Sequence, residues 1–319
     1  MEVTNQTTMT KFIFNGITGI LYLQLALFVM FLTVYLLSLM ANTLIIFTVV
    51  MKPTLQTPMY IFLGNLSFLE FWYTTVTVPK LLAICLSQGV TISVSVCIAQ
   101  YCFFFSMGAT ECILLAVMAY DRYLAICNPL RFSLLMRIPV CLHFSAVFWT
   151  RGFITHLVPT ILISHLNFCD PQKINHFSCD SDPIYKLSCS DTFLVEALGY
   201  TCSSVVILSF FLLTMSSSEH IVVIIIRLSS LEAQKKAFST CASHLSVVTI
   251  YYGTIIFANV RPPAKYNFTI GKVVSIFYCV VTLLVNLLIY TLTNKDVKKA
   301  FTKVVAQKSF LLVRNIHKI

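Results

Sequence analysis

Residues 24–50 read QLALFVMFLTVYLLSLMANTLIIFTVV, an apolar run without a single charged side chain. At about 1.5 Å per residue, a helix of this length crosses the roughly 30 Å hydrocarbon core of a bilayer. The run is continuously apolar rather than alternating with period two, so it reads as a helix and not a strand. Working outward, comparable runs recur near 58–85, 97–129, 138–163, 194–228, 237–260 and 270–293. The whole chain of 319 residues is 58% hydrophobic and only 11% charged, where a soluble domain carries roughly 25% charge. Lipid is therefore the solvent for most of it, and backbone groups in lipid must be paired internally. The expectation is an all-α membrane protein, a bundle of seven transmembrane helices over 24–293. Residues 1–23 form an outer tail and residues 294–319 a cytoplasmic one. The latter should begin with an amphipathic helix near 294–304, with Val297, Ala300, Phe301 and Val304 on one face and Lys298, Lys299 and Lys303 elsewhere.

Orientation follows from lysine and arginine in the short loops. One side holds Lys52, Arg131, Arg137, Arg227, Lys235 and Lys236, followed by the basic C-terminal tail. The other holds Lys11, Lys173, Lys186, Arg261, Lys265 and Lys272. The richer side is cytoplasmic, which puts the N-terminus outside and agrees with an odd number of spans. The polar first residues carry no cleavable signal, so the first span serves as its own insertion signal. Asn5-Gln6-Thr7 is a glycosylation acceptor in this topology. Cys97 starts span three, and the loop 164–193 holds Cys169, Cys179 and Cys189. Four cysteines on the oxidising side read as two disulfides, in any of three pairings.

Span three concentrates the chemistry. Phe104, Gly108, Glu111, Leu115 and Arg122 fall on one helical face. Charges inside a bilayer cost several kcal/mol and mark function or interior packing. With Glu70 of span two and Asn286 of span seven, Glu111 suggests a polar cluster. Two readings stay open: a site for a sodium ion or a proton, or a neutral carboxyl pair that holds helices together. No catalytic motif occurs, and no other cofactor or metal is implied. A Schiff-base pigment needs a lysine deep in span seven, whereas Lys272 sits at its outer end. The net charge of +10 resides in loops and tail, so nucleic acid is not the partner. His244 alone on span six reads first as a packing residue.

Met118-Ala119-Tyr120-Asp121-Arg122-Tyr123-Leu124-Ala125-Ile126-Cys127, followed by Asn128-Pro129-Leu130, resembles the signature of vertebrate olfactory receptors, rhodopsin-like G-protein-coupled receptors. Pro58-Met59-Tyr60 with Phe62-Leu63 and Leu66-Ser67 opens span two in the same way. Lys236-Ala237-Phe238-Ser239-Thr240-Cys241 with Ser243-His244-Leu245 opens span six, and Cys179-Asp180 and Leu187-Ser188-Cys189 lie in the second outer loop. The resemblance runs from about residue 5 to 304.

It implies a plasma-membrane receptor for small volatile odorants, coupled to a heterotrimeric stimulatory G protein that raises cyclic AMP and helped to the surface by trafficking chaperones. It implies disulfides Cys97–Cys179 and Cys169–Cys189. Carried over residue by residue, the ligand site takes Phe104, Phe105, Gly108 and Ala109 from span three and Cys202, Ser203 and Val206 from span five. Span six adds Tyr252, Ile255, Ile256 and Asn259, and span seven Ile276 and Cys279. Spacing independently puts His244, Val248, Tyr252, Ile255 and Asn259 on one face of span six. The set is mostly apolar and holds no carboxylate or ammonium, so it suits a neutral ligand held by burial and one or two hydrogen bonds. The coupling switch implied by the resemblance comprises Asp121, Arg122, Tyr123, His244, Asn286 and Tyr290. Asp121 holds Arg122 at rest, and the freed guanidinium contacts the G-protein tail.

The chain departs from the family pattern near this switch. Asn286-Leu287-Leu288-Ile289-Tyr290 lacks the family's proline, and Ser217-Ser218 stands where Ser-Tyr is usual. Glu219 and His220 add polar groups, Arg151 occupies the middle of span four, Thr293 replaces an arginine, and Ala41 a glycine. These changes support a second expectation, a receptor that couples poorly or does not signal.

Overall fold

The computed structural model describes residues 10–14, 21–87, 89–169, 173–174, 176, 178–227 and 229–259. The expected seventh span, the amphipathic helix and Asn5 lie outside the described residues. Eight α-helices are described: α1 (Leu21–Met51), α2 (Pro58–Leu86), α3 (Val94–Cys127), α4 (Pro129–Leu135), α5 (Ile138–Ser164), α6 (Ser181–Lys186), α7 (Phe193–Arg227) and α8 (Leu231–Asn259), with a short 3-10 helix at Pro53–Leu55. Three short strands accompany them: β1 (Lys11–Phe14), β2 (Val90–Ser93) and β3 (Lys173–Ile174). Among these, α1, α2, α3, α5 and α7 are long and apolar enough to cross a membrane. In α8 the apolar stretch is confined to His244–Phe257. The helix starts at Leu231 rather than near 237, and its first turns, with Glu232, Lys235 and Lys236, lie outside that apolar stretch.

Proline sets most boundaries. α2 and α5 open with proline in the first turn, where its missing N–H leaves no bond unmade. The residue before a proline avoids the helical region. α3 accordingly ends at Cys127, two residues short of the expected 129, and Asn128-Pro129 starts the separate helix α4. At its other end, Ser93 accepts a hydrogen bond from the Val96 amide, 3.3 Å away. Inside the spans, hydroxyls turn back on their own helices. Thr48 donates to Leu44, Thr77 to Tyr73, Thr110 to Ser106 and Thr214 to Phe210, all through carbonyls one turn earlier. That satisfies them where water is excluded.

α3 is the axis of the bundle, packed against α2, α5, α7 and α8. The sequence reading assigned it a single interior face. Instead, Ser106 through Ala116 are all buried, because neighbours surround the helix. Side-chain bonds tie helices together where apolar contact alone provides little drive in lipid. Trp149 donates its indole N–H to Asn65 Oδ1 at 3.0 Å and Asn65 donates to Ser145 at 3.2 Å, joining α2 to α5. Gln100 donates to the Val76 carbonyl at 2.9 Å, joining α3 to α2.

The first strand is the main departure from the expected outer tail. β1 runs antiparallel to β2, with Lys11 opposite Ser93 and Phe14 opposite Val90, and parallel to β3. Alternation along Lys11-Phe12-Ile13-Phe14 puts Phe12 and Phe14 on one face, and both are fully buried. Phe12 meets Phe168 edge-on at 5.2 Å, and Lys80 lies over the Phe14 ring at 5.2 Å while donating to the Thr91 carbonyl.

Candidate functional site

The loop between α5 and α7 is fastened at several points. A disulfide joins Cys97, in the first turn of α3, to Cys179, with Cα atoms 5.4 Å apart. A second joins Cys169 to Cys189, at 5.8 Å. Hydrogen bonds from the Cys169 amide to the Leu187 carbonyl and from the Cys189 amide to the Asn167 carbonyl zip the loop's two arms together. Asp180 caps α6 by accepting from the Ser181 amide at 2.7 Å. Tyr200 of α7 donates to the Asp182 carboxylate of α6. Burial raises the pKa of the Asp182 carboxyl, while the Tyr200 bond opposes that shift. Burial also pushes the Tyr185 hydroxyl up to about 12. The loop is thus fastened to α3 and α7 by covalent and polar links.

Beneath it, α3 and α8 are stitched together. Tyr251 donates its hydroxyl to the Gly108 carbonyl and Tyr252 to the Cys112 carbonyl, each at 2.9 Å. Gly108 is itself buried, yet no described atom lies within 4 Å of where a Cβ would stand. Phe105 stacks obliquely on Tyr101 at 4.6 Å, and Phe104 on Tyr73 at 5.0 Å. Tyr252 and Ile255 belong to the main buried apolar cluster, and Phe104, Phe105, Val206 and Ile256 pack against it. Ala109 is buried, and Cys202 and Ser203 on α7 are half-buried. Asn259 ends α8, with its side chain outside the described part; Ile276 and Cys279 also lie outside the described residues.

Glu70 and Glu111 are both buried, at 3% and 1% exposure, on adjacent helices. Their expected companion Asn286 lies outside the described residues, as does Tyr290. Toward the far end of α3, Asp121 is buried and its Oδ2 stands 3.9 Å from Arg122 Nε. That separation permits charge attraction but no hydrogen bond. Tyr123 packs with Ile221 and Ile225 of α7 and Cys241 of α8. His220 meets the Tyr123 ring edge-on at 5.9 Å. Ser218 is buried and donates to the Thr214 carbonyl of its own helix at 2.7 Å. His244 is buried on α8.

The chain matches the olfactory receptor family over residues 31–308. It is 47% identical to olfactory receptor 11L1 of Homo sapiens over 98% of this chain and 97% of that one. It is 45% identical to human olfactory receptor 6P1 over 92% and 93%. The rat protein olfactory receptor 287 is 44% identical over 95% and 98%. The chain belongs to the olfactory receptor family. This olfactory receptor is an odorant-sensing, multi-pass membrane protein of the G-protein-coupled class and not an enzyme.

Several side chains that shape the receptor were not singled out from sequence. Tyr251 adjoins a selected residue but forms its own tether. Gly152 of α5 is set so close to α3 that a Cβ would stand 2.0 Å from Thr110 Oγ1 and 2.9 Å from the Ser106 carbonyl oxygen. His156 lies one turn further along the same face. A small residue four positions before a buried histidine on one helix is a weak signal, legible only once α3 is known to lie opposite. Arg151 is exposed on the outer face of α5, away from α3.

Proposed function

We propose that this receptor has seven spans with its N-terminus outside, resides in the plasma membrane, and senses small, mostly apolar, neutral volatiles. The division is an outer tail at 1–23, a bundle at 24–293 and a cytoplasmic tail at 294–319. The observation that carries the reading is buried Gly108, with no described atom within 4 Å of where a Cβ would stand, beneath a disulfide-fastened loop and beside Phe105 and the tyrosine pair of α8. Such a setting, apolar with a few fixed polar groups, fits a neutral ligand of modest size. The ligand set comprises Phe104, Phe105, Gly108, Ala109, Cys202, Ser203, Val206, Tyr252, Ile255, Ile256, Asn259, Ile276 and Cys279. A ligand seated there bears on the bonds from α8 to α3. Any shift of α8 relative to α3 reaches the opposite end through Cys241 and Tyr123, next to Arg122. Release of Arg122 from Asp121 then offers a fork of donors to a stimulatory G protein, which raises cyclic AMP.

A cyclic AMP reporter in cells carrying this chain, an olfactory G protein and a chaperone tests this. The expected result is a dose-dependent response to neutral volatiles that Arg122→Ala abolishes at unchanged surface staining. A response indifferent to Arg122 would remove the coupling assignment.

A second reading, a receptor that reaches the membrane but couples weakly, is favoured by Ser218. Its hydroxyl is turned onto the Thr214 carbonyl of its own helix rather than toward Arg122. Leu287 and the exposed, mid-helix Arg151 favour it too, the latter because arginine at a helix centre costs about 2.5–3.5 kcal/mol on insertion scales. Ser218→Tyr and Leu287→Pro separate the two readings. A stimulated response that grows severalfold supports weak coupling, and an unchanged response in both variants dismisses it.

A further inference from the structure

His156 is 3% exposed in the middle of the bundle, and its Nδ1 has no hydrogen-bond partner among the described residues. Its ring lies against Phe105 at 5.5 Å, tilted by 39°. One turn away on α5, Gly152 admits α3 so closely that the two backbones nearly touch at Ser106 and Thr110. Ser106 is wholly buried there, and its Oγ is a second polar atom without a partner among the described residues. Thr110 shows the contrast: it sits one turn along the same seam and returns its hydroxyl to the Ser106 carbonyl. Buried polar atoms in native proteins are nearly always bonded, so each exception needs an explanation. His156 lies against Phe105, and Ser106 follows Phe105 in α3, where that helix meets Gly152 of α5.

We propose that His156, with Ser106 beside it, is the polar pole of the ligand site, and that the preferred ligands are small apolar molecules carrying one oxygen, as an alcohol or a carbonyl. This rests on the reading of the Phe105–Gly108 region as the odorant site. A neutral imidazole is a donor at one nitrogen and an acceptor at the other. Nδ1 therefore accepts from an alcohol in one tautomer and donates to a carbonyl in the other. The Ser106 hydroxyl also serves both roles. The hydrocarbon of equal length fills the same space and leaves both atoms orphaned, so it is the disfavoured ligand.

The test uses the full chain in reporter cells with surface staining. The probes are straight-chain alcohols, aldehydes and alkanes of matched chain length. The expected result is activation by an alcohol or aldehyde and none by the alkane of equal length. His156→Phe should then raise the half-maximal concentration about tenfold, the loss of one neutral hydrogen bond. His156→Asn, which keeps a donor and an acceptor, should recover part of it. Ser106→Ala deletes a single oxygen and should give a smaller rise for the same probes. Alkanes as potent as alcohols, a panel with no active alcohol or aldehyde, or unchanged potency in both His156→Phe and Ser106→Ala would each overturn the assignment. If His156→Phe fails to reach the surface, His156→Asn and Ser106→Ala decide: unchanged potency in both overturns it. Phe105→Ala keeps the two readings distinguishable. If Phe105→Ala abolishes a response that the His156 and Ser106 variants leave intact, the site stands and the polar pole falls. If it leaves the response intact, the site itself is misplaced.

Discussion

The two ends of the bundle are built differently. At the disulfide end, α3, α6, α7 and the loop between α5 and α7 are joined by Cys97–Cys179, Cys169–Cys189 and the bond from Tyr200 to Asp182. A three-stranded sheet with Phe12 and Phe14 buried beneath it adds to them. At the Arg122 end, the described links between helices include a small apolar cluster of Ile221, Ile225 and Cys241 around Tyr123, the edge contact of His220 with that ring, and a hydrogen bond from Gln234 of α8 to the Ile226 carbonyl of α7, while the Asp121–Arg122 pair at 3.9 Å lies within α3. One end holds a fixed shape, as a ligand site needs, since preorganisation lowers the ordering cost of binding. The other is held by contacts that separate cheaply, as a coupling surface needs. The tyrosine pair of α8 lies between them, bonded to the Gly108 and Cys112 carbonyls of α3.

That contrast can be broken at its strongest point first. Cys179→Ser frees the loop from α3, and losing a native disulfide costs about 2–5 kcal/mol. Surface staining should fall to near background, and normal delivery would show that the fastened end is not what stabilises the bundle. Gly152→Ala comes next. Its Cβ would meet α3 backbone as well as Thr110, so helices must move apart at a cost of roughly 1–3 kcal/mol. Thermal unfolding of receptor in nanodiscs should show a clear drop, whereas Gly253→Ala, whose Cβ meets no described atom within 4 Å, should show little. Tyr252→Phe removes the bond to the Cys112 carbonyl, about 0.5–1.5 kcal/mol net. If that bond holds the resting packing, basal cyclic AMP rises by about fivefold, since about 1 kcal/mol corresponds to that ratio; a silent variant would take the tyrosine out of the transmission. Asp121→Asn should have the smallest effect on stability, within about 1 kcal/mol, because the 3.9 Å pair has no hydrogen bond to lose and the amide avoids the cost of a buried charge. A large loss of thermal stability there would mean that the Arg122 end is as firmly held as the other.

Some of this was legible in advance and some was not, for reasons that differ by residue. Apolar runs separated by Lys and Arg located α1, α2, α3, α5 and α7 to within about three residues, because length and charge exclusion in lipid are properties of the chain alone. The four cysteines were visible as a set, but their pairing came from family likeness, since spacing alone permits three. Residues 11–14 were assigned to the tail because four residues carry too little periodicity to announce a strand whose partners lie at 90–93 and 173–174. The glutamates of α2 and α3 could be foreseen as interior groups because a charge in lipid has few other places to go.

By itself, then, the sequence determined the solvent, the helices, the family and the short list of polar residues that lipid forces inward. Only the tertiary structure decided what each of those residues meets. Gly152 becomes a close helix contact because Ser106 and Thr110 stand opposite it, and Tyr251 and Tyr252 become tethers because the α3 carbonyls lie within 2.9 Å. His156 becomes a candidate ligand contact because no described partner reaches its Nδ1. Helical period fixes which residues share a face, but bonding depends on the distance to another helix, which no local pattern encodes.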